Sequence, residues 1–397
     1  MIYLYKKSIL QLLAMLHEAR KSPYENINKW LVLQETLIKR IIYVENKARE
    51  AKSIVSELNK LRKDPANRLN KDDSLKAKEN IKNLQDDIEE YRFILKVYKS
   101  IGDGIAFTFI PKFDIKPQNF KESPGFISDK SGIKKEKQYM RYAFKNGIIA
   151  IFNDITSTLK YGDLFLITPK GPLIIEAKSS NNDNSRIQRQ EASTKKIFDY
   201  LSNDATDKLY GVSGQIRRVE PSTHEVNYTK NLNKVIKKAY NQIYSHNKVE
   251  DGVIFLATYT GFPESNFGKV LKSANITKPF AFYLNAAKFT EQAYTPFSII
   301  FDSPNTYWSF LQGELMIIVF IDFSVIERIS FANGFTVQRS SHPNWAFEFK
   351  SNDPNNEVKQ FSMSEHYFFR SFMEMVSVEW LLTQAFSIQK IAYDANS

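Results

Sequence analysis

The sequence contains no cysteine, which excludes disulfides and thiolate metal sites and fits a reducing compartment. Its five histidines are scattered without the spacing of metal ligands, so a zinc site is not expected. No glycine-rich loop of the phosphate-cradling type occurs, which argues against ATP use by this chain. The N-terminal apolar run is short and includes Lys6 and Lys7, so neither a signal peptide nor a membrane span is expected. These absences favour a cytoplasmic protein without a membrane segment.

What the sequence does contain is a large apolar fraction and an excess of positive charge. Apolar residues make up 43% of the 397 residues, which is enough for two or three domains with real cores. Lysine and arginine number 55 against 44 acidic residues, a formal net charge of +11. This excess is compatible with a polyanionic partner such as nucleic acid, and equally with simple solubility.

The first hundred residues have the periodicity of paired helices. Apolar residues recur at alternating spacings of three and four, the pattern of a coiled-coil seam. The first seam comprises Leu33, Leu37, Ile41, Val44, Ala48, Ala51, Val55 and Leu58, and the second comprises Ile81, Leu84, Ile88, Tyr91, Leu95 and Tyr98. Residues 64–67 break the first helix, and residues 72–74 offer N-caps for the second. We therefore predict a helical coiled-coil hairpin over residues 1–101, serving as a spacer or homo-oligomerisation arm, with direct DNA contact as the alternative.

Two further regions flank a central domain. Residues 102–132 are predicted to be a linker with one edge strand, because Ile105, Phe107 and Phe109 alternate with small or polar residues. Residues 263–397 are predicted to form a C-terminal α+β region. It includes an apolar strand over 314–323, a hairpin over 335–349 and one long helix over 364–392.

The central domain, residues 133–262, shows helix, three strands, helix and strand in that order. The predicted helices cover 136–145 and 235–244, and the last strand covers 252–258. This order indicates an α/β sandwich around a mixed sheet. A polar insertion over 179–230 is too long for an ordinary connection, and its basic residues offer phosphate contacts or merely a solvated surface.

Two of the predicted strands bring charged residues to one place. Apolar runs at 164–167 and 173–175 flank a Pro- and Gly-containing turn, as expected for a hairpin. Asp163 opens the first strand, whereas Glu176 and Lys178 close the second and project to the same face. The alternatives are that Asp163 caps a turn and that Glu176 pairs with Lys178 at a sheet edge. Asp154 is a competing carboxylate that we place outside this group.

Gly162-Asp163 followed by Glu176-Ala177-Lys178 resembles the signature of the PD-(D/E)xK nuclease superfamily, in its Mrr-like and resolvase-like branches. The resemblance covers roughly residues 136–258, and Tyr161-Gly162 stands where the usual proline precedes the aspartate. It implies a restriction-endonuclease-like αβββαβ core within a chain that is α+β overall. Glu136 matches the acidic residue of the family's leading helix, and Gln242 matches the glutamine of its second helix.

The resemblance also implies a chemistry. Mg²⁺ or Mn²⁺ would be held by Asp163, Glu176 and the carbonyl of Ala177, with Lys178 beside the attacking water. Glu136 would bind a second metal ion or a water, and Gln242 would have a positioning role. The implied activity is that of a metal-dependent endonuclease acting on DNA, or on RNA, in a restriction or antiphage defence system with a partner ATPase or sensor protein. The alternative is an inactive nucleic-acid-binding or scaffold protein that retains the nuclease fold.

Overall fold

The computed structural model describes residues 2–64, 69–117, 125–130, 132–169, 171–176, 185–207, 215–259, 261, 266–289 and 293–394. The chain is α+β, with 59% of it helical and 18% in strands. It divides into two compact units, Met1–Val212 and Ser213–Ser397. Within the described ranges, no helix combines the length and the apolar character needed to cross a membrane.

The first unit is mainly helical and contains a small sheet. Its helices are α1 (Lys6–Lys21), α2 (Asn28–Lys63), α3 (Lys71–Phe109), α4 (Lys112–Ile115), α5 (Ile133–Lys145) and α6 (Ser185–Asn203). Its strands are β1 (Ile149–Phe152), β2 (Leu164–Thr168), β3 (Gly171–Ile175) and β4 (Ala205–Asp207). Strands β1, β2 and β3 form an antiparallel sheet in that order.

The two long helices that the heptad pattern predicts are present as α2 and α3, which pack against each other. The seam residues of α2 from Leu33 to Ala51 are buried, whereas Val55 and Leu58 are only half-buried. The predicted N-cap is wrong. The N-cap of helix α3 lies two to four residues earlier, at Asn70, whose side chain accepts a hydrogen bond from the Asp73 backbone N–H at 2.8 Å.

The predicted edge strand around Ile105 is also wrong, because α3 continues without a break to Phe109. Ile101, Ile105 and Phe109 are all buried, and their spacing of four matches one helix face as well as it matches an alternating strand. The predicted boundary between residues 101 and 102 therefore falls inside a helix.

The helical pair is part of the core of the first unit. The buried Gln34 side chain of α2 donates to the Ala150 carbonyl at 2.8 Å and accepts from the Phe152 N–H at 2.9 Å. Gln34 thereby pairs with the backbone hydrogen-bonding groups at the outer edge of β1, as a neighbouring strand would. Gly102 of α3 comes so close to the chain after β1 that a Cβ there would lie 2.0 Å from the Ile155 carbonyl oxygen. Both helices are thus fixed against the sheet, in addition to any role as an arm.

We expect Gln34→Met to destabilise the first unit by about 2 kcal/mol, because it leaves one backbone donor and one backbone acceptor of β1 buried without a hydrogen-bond partner. Urea unfolding of the full chain measures this change. Lys39→Met, at an exposed position of the same helix, should change stability by less than about 0.5 kcal/mol. Equal effects of the two substitutions would show that the contact with β1 contributes nothing.

The second unit is built on two antiparallel sheets. Its strands are β5 (Gln215–Arg217), β6 (Tyr244–Glu250), β7 (Val253–Tyr259), β8 (Pro279–Tyr283), β9 (Leu315–Asp322), β10 (Phe335–Arg339), β11 (Trp345–Ser351) and β12 (Gln360–Ser364). Its helices are α7 (Thr229–Gln242), α8 (Phe267–Ser273), α9 (Phe297–Ile300), α10 (Pro304–Gln312), α11 (Phe323–Ala332), α12 (Glu365–Phe368), α13 (Arg370–Met373) and α14 (Val378–Asp394). The sheet orders are β6-β7-β9-β8 and β10-β11-β12.

The predicted central domain, residues 133–262, is divided between the two units. Strand β7, expected to complete the nuclease sheet, instead pairs with β9 along its whole length, from Val253 opposite Ile321 to Tyr259 opposite Leu315. The predicted boundary at 262/263 therefore cuts through a sheet. Helix α7 packs on β6 and β7 in this same unit. The described part of the first unit supplies a helix, three strands and a helix of its own, namely α5, β1 to β3 and α6.

The predicted long C-terminal helix is interrupted. Met375 has a φ of +56°, which a right-handed helix does not contain, and α13 ends before it. The buried Arg370 guanidinium pairs with Glu374 at 2.8 Å and also with Glu225. Helix α14 then begins beside Glu250, whose carboxylate accepts from the Val378 N–H at 2.6 Å.

Candidate active site

The β2–β3 hairpin brings two of the predicted site residues to one end of the sheet. Leu164, the first residue of β2, lies opposite Ile175, the last residue of β3. Asp163 and Glu176 are the next residues outward on each strand, and the Asp163 N–H donates to the Ile175 carbonyl at 2.8 Å. The backbone juxtaposition that the sequence predicts for these two carboxylates is therefore present.

Gly162 is required immediately before Asp163. Its φ is +71°, and a Cβ at this position would lie 2.4 Å from Ile174 Cγ2 and 3.0 Å from the Ile175 carbonyl oxygen. Only glycine combines this left-handed conformation with such a close approach to β3. The glycine of the Gly-Asp pair thus sets the position of the aspartate against the neighbouring strand.

Asn153 holds the same turn from the other side. Its buried side-chain amide donates to the Tyr161 carbonyl at 2.6 Å, and its backbone N–H donates to the Asp163 carbonyl at 3.0 Å. Because Asn153 directly follows β1, this clamp also brings Asp154 towards the Asp163 end of the hairpin. Asp154 is 3% exposed.

Glu136 occupies the first turn of α5 and is 4% exposed. Its Oε2 has no hydrogen-bond partner in the described part of the chain. Burial raises the pKa of Glu136 to about 7, helped by the negative charges of Asp163 and Asp154 and opposed by the Lys130 ammonium. A buried carboxyl with an unpartnered oxygen is costly, and such groups concentrate at functional sites.

Lys130 links the carboxylates. Its Nζ lies 2.5 Å from Asp154 Oδ2 and 3.5 Å from Asp163 Oδ1. Burial opposes the charge, but the carboxylates of Asp154, Glu136 and Asp163 together more than compensate, and the pKa of Lys130 is raised. Our placement of Asp154 outside the group is therefore wrong. One lysine joins it to Asp163, and the charges of Asp154 and Asp163 both act on Glu136.

Helix α2 fixes the short segment that carries Lys130. The buried Glu45 carboxylate accepts from the Ile127 N–H at 3.1 Å and from the Ser128 N–H at 2.9 Å, and Arg49 pairs with Asp129. Lys130 lies in the stretch predicted to be a linker. A single lysine in a stretch of loop composition gives no sequence signal for a contact with residues 24 and 33 positions further on.

The remaining predicted site residues are placed as follows. Glu176 is half-buried, and the Thr194 hydroxyl of α6 donates to its Oε1 at 3.4 Å, so α6 adjoins the site. Ala177 and Lys178 lie outside the described residues. Gln242 is exposed at the end of α7 in the second unit, whereas Glu136, Asp163 and Glu176 belong to the first.

The donor set of this site is hard oxygen, which suits Mg²⁺ or Mn²⁺. Taken alone, the described residues contain no group of three His, Asp or Glu side chains that could hold a metal ion. Mg²⁺ commonly takes only one or two carboxylates and keeps water and phosphate oxygens as its other ligands. The unpartnered buried oxygen of Glu136 and the Asp163–Glu176 pair are compatible with that mode of binding.

Comparison of the chain with known proteins identifies no relative. No family model matches the chain, and no curated protein or solved structure matches it significantly.

Proposed function

We propose that the chain is a metal-dependent nuclease that hydrolyses phosphodiester bonds in DNA or RNA, with its active site at the Asp163 end of the β1–β3 sheet. The observation that carries this proposal is the meeting of Asp163 and Glu176 at one end of the hairpin, near a buried glutamate with an unpartnered oxygen. We further propose that the first unit alone is the nuclease core, with α6 rather than α7 as the helix after the motif strand.

In this proposal Asp163 and Glu176 hold the divalent cation, together with the Ala177 carbonyl. A bound cation would neutralise negative charge on the phosphate and lower the pKa of the attacking water. The assignment of Ala177 and Lys178 follows from the sequence motif, whereas that of Asp163 and Glu176 is also supported by the hairpin register.

The side chains themselves can move the required proton. A water oxygen bonds to phosphorus as the ester P–O bond breaks, the water proton passes to a base, and the leaving oxygen takes a proton from solvent. With a pKa of about 7, Glu136 is partly ionised near neutral pH and can accept that proton. Lys178 and Lys130 would place positive charge beside the anionic phosphate.

The test is a cleavage assay on the full-length chain with end-labelled single- and double-stranded DNA and RNA, in Mg²⁺, in Mn²⁺ and in EDTA. We expect cleavage only with the metal ion, and a loss of roughly 100-fold or more in Glu176→Ala and in Lys178→Ala. Glu79→Ala and Lys82→Ala change the same residue types at exposed positions of α3 and should cleave like the wild type. Absence of cleavage by the wild type, or normal cleavage by both site variants, would contradict the proposal.

One observation favours the alternative of an inactive nuclease fold that only binds nucleic acid. The Lys130 ammonium lies between Asp154 and Asp163, where it neutralises carboxylates that a divalent cation would otherwise neutralise. If the wild type binds nucleic acid and cleaves none of the four substrates, this alternative replaces the nuclease. Lys130 would then be a structural partner of the carboxylates.

A further inference from the structure

The second unit contains a basic groove between α7 and the edge strand β6. It has a volume of about 320 Å³, and its walls are formed mostly by the apolar atoms of lysine, asparagine, valine and histidine side chains: Asn231, Lys234, Val235, Lys237, Lys238, Asn241, His246 and Asn247. Helix α7 contains no acidic residue along its whole length. The groove therefore combines fixed positive charge with amides that both donate and accept hydrogen bonds.

Basic and amide side chains form a stripe along α7, and Lys238 lies beside it, one turn after Lys234. Lys230, Lys234, Lys237 and Asn241 follow at spacings of three and four, which places them on one face over a length of roughly 16 Å. Lys234, Lys237 and Lys238 are exposed, and none of the three forms an ion pair within the part of the chain that the structure describes. Elsewhere on the second unit, Lys248 and Lys278 are paired with acidic residues. The groove lysines remain available for an external anion.

An exposed aromatic ring lies next to Lys237, one turn further along α7, on the flank of the helix that faces away from the groove. Tyr240 of α7 is 74% exposed, and its ring packs against that of Tyr259 in a T-shaped arrangement with a centroid distance of 5.5 Å. The opposite half of α7 is apolar and buried, with Val235, Ile236 and Ala239 in the core. A helix that buries one side against a sheet and presents lysines, amides and a tyrosine on the other matches the surfaces that bind single-stranded nucleic acid.

We propose that the exposed face of α7, from the α7–β6 groove across to Tyr240, binds a nucleic acid strand, with Lys234 and Lys238 contacting phosphates and Tyr240 stacking on a base. The proposal rests on the proposed function for its choice of polymer and assigns that polymer a binding surface in the second unit. Amides and lysines along a helix read no particular base, so the groove should bind many sequences with similar affinity.

The test measures binding and not cleavage, so it distinguishes failure of the groove from failure of the nuclease. Fluorescein-labelled single-stranded and duplex oligonucleotides are titrated with the full-length chain in EDTA, at salt concentrations from 50 to 200 mM. We expect Lys234→Glu/Lys238→Glu to weaken binding of single strands roughly 10- to 100-fold at the lowest salt. The plot of log K against log salt concentration, which has a negative slope, should become less steep by about 1.4 for single strands.

The matched control reverses the charge of two lysines of α8 in the same unit. Lys269→Glu/Lys272→Glu changes the net charge by the same amount at exposed positions away from the groove, and should weaken binding less than about threefold. Equal weakening by both double variants would overturn the proposal, because only net charge would then matter. Unchanged binding in Lys234→Glu/Lys238→Glu, with a circular dichroism spectrum and melting temperature like those of the wild type, would also overturn it.

Tyr240 separates a nucleic-acid site from a general polyanion site. Tyr240→Ala should weaken binding of single strands about tenfold, and Tyr240→Phe should retain it, because stacking needs the ring and not the hydroxyl. Heparin, as a polyanion without bases, should bind equally well to the wild type and to Tyr240→Ala. If Tyr240→Ala binds both polymers like the wild type, no base stacks on Tyr240, and the proposal that this face of α7 recognises nucleic acid rather than any polyanion is overturned.

Discussion

Glu136→Gln should make the protein more stable at pH 8, by about 3 kcal/mol, and leave its stability almost unchanged at pH 4.5. Glutamine has nearly the shape of glutamate but carries no charge, so the substitution removes the cost of an ionised carboxylate in a buried position beside two others. The measurement is urea unfolding of both proteins from pH 4.5 to 8 in EDTA, which excludes any contribution from divalent cations.

The sign follows from the proton balance. Burial, with the charges of Asp163 and Asp154, raises the pKa of Glu136 from 4.5 in the unfolded chain to about 7 in the folded state. Between these values the folded state holds a proton that the unfolded chain has released. Wild-type stability therefore falls as pH rises through this window, and the loss is nearly complete by about pH 8. Below pH 4.5 the carboxyl is neutral in both states and differs little from the amide.

Glu79→Gln is the control, since this exposed side chain of α3 is surrounded by water in both states and should alter stability by less than about 0.5 kcal/mol at any pH. A Glu136→Gln difference that is the same at pH 4.5 and pH 8 would contradict the expectation. If Glu136→Gln also loses cleavage while gaining stability, the glutamate is retained for its chemistry at the expense of stability.

Local sequence patterns predicted the parts of the site that lie on neighbouring strands. The apolar runs of β2 and β3, separated by a short turn, define one hairpin register, and that register brings Asp163 and Glu176 together. Glu136 was proposed on a different basis, because an acidic residue near the start of the preceding helix matches the pattern of the family that the sequence resembles. The meeting of Asp163 and Glu176 followed from strand alternation and the geometry of a turn alone.

The sequence could not indicate contacts between distant segments. Lys130 reaches Asp154 and Asp163 only because α2 holds its segment through Glu45, a residue 85 positions earlier. No periodicity relates a buried glutamate of a long helix to two backbone amides of a later loop. Gln34 at the edge of β1 belongs to the same class of contact.

Strand order along the chain also gave too little information about sheet membership. An apolar strand such as β7 is equally suited to any buried sheet, and its preference for β9 depends on a strand that follows 56 residues after β7 ends. The alternation at Ile105 and Phe109 was similarly ambiguous, since residues four apart share a face in a helix and in a strand. Length decides such cases, and α3 has 39 residues.

Gly162→Ala should destabilise the first unit by about 2 to 4 kcal/mol and weaken Mn²⁺ binding at the proposed site. Part of the cost, about 1 kcal/mol, arises because an L-residue resists the φ of +71°. The remainder arises because the new Cβ would lie 2.4 Å from Ile174 Cγ2, so the turn must move away from β3 and displace Asp163 from Glu176. Urea unfolding measures the first effect, and calorimetric titration with Mn²⁺ measures the second.

Gly147→Ala separates these two contributions. Gly147 ends α5 with a φ of +76°, but a Cβ there would meet no atom within 4 Å. This variant should therefore lose only about 1 kcal/mol and bind Mn²⁺ like the wild type. If both alanine variants lose the same stability, the close approach of the turn to β3 has no energetic weight. If Gly162→Ala still binds Mn²⁺ normally, Asp163 does not depend on that approach for its position, and the role of the Gly-Asp pair in the site must be reassigned.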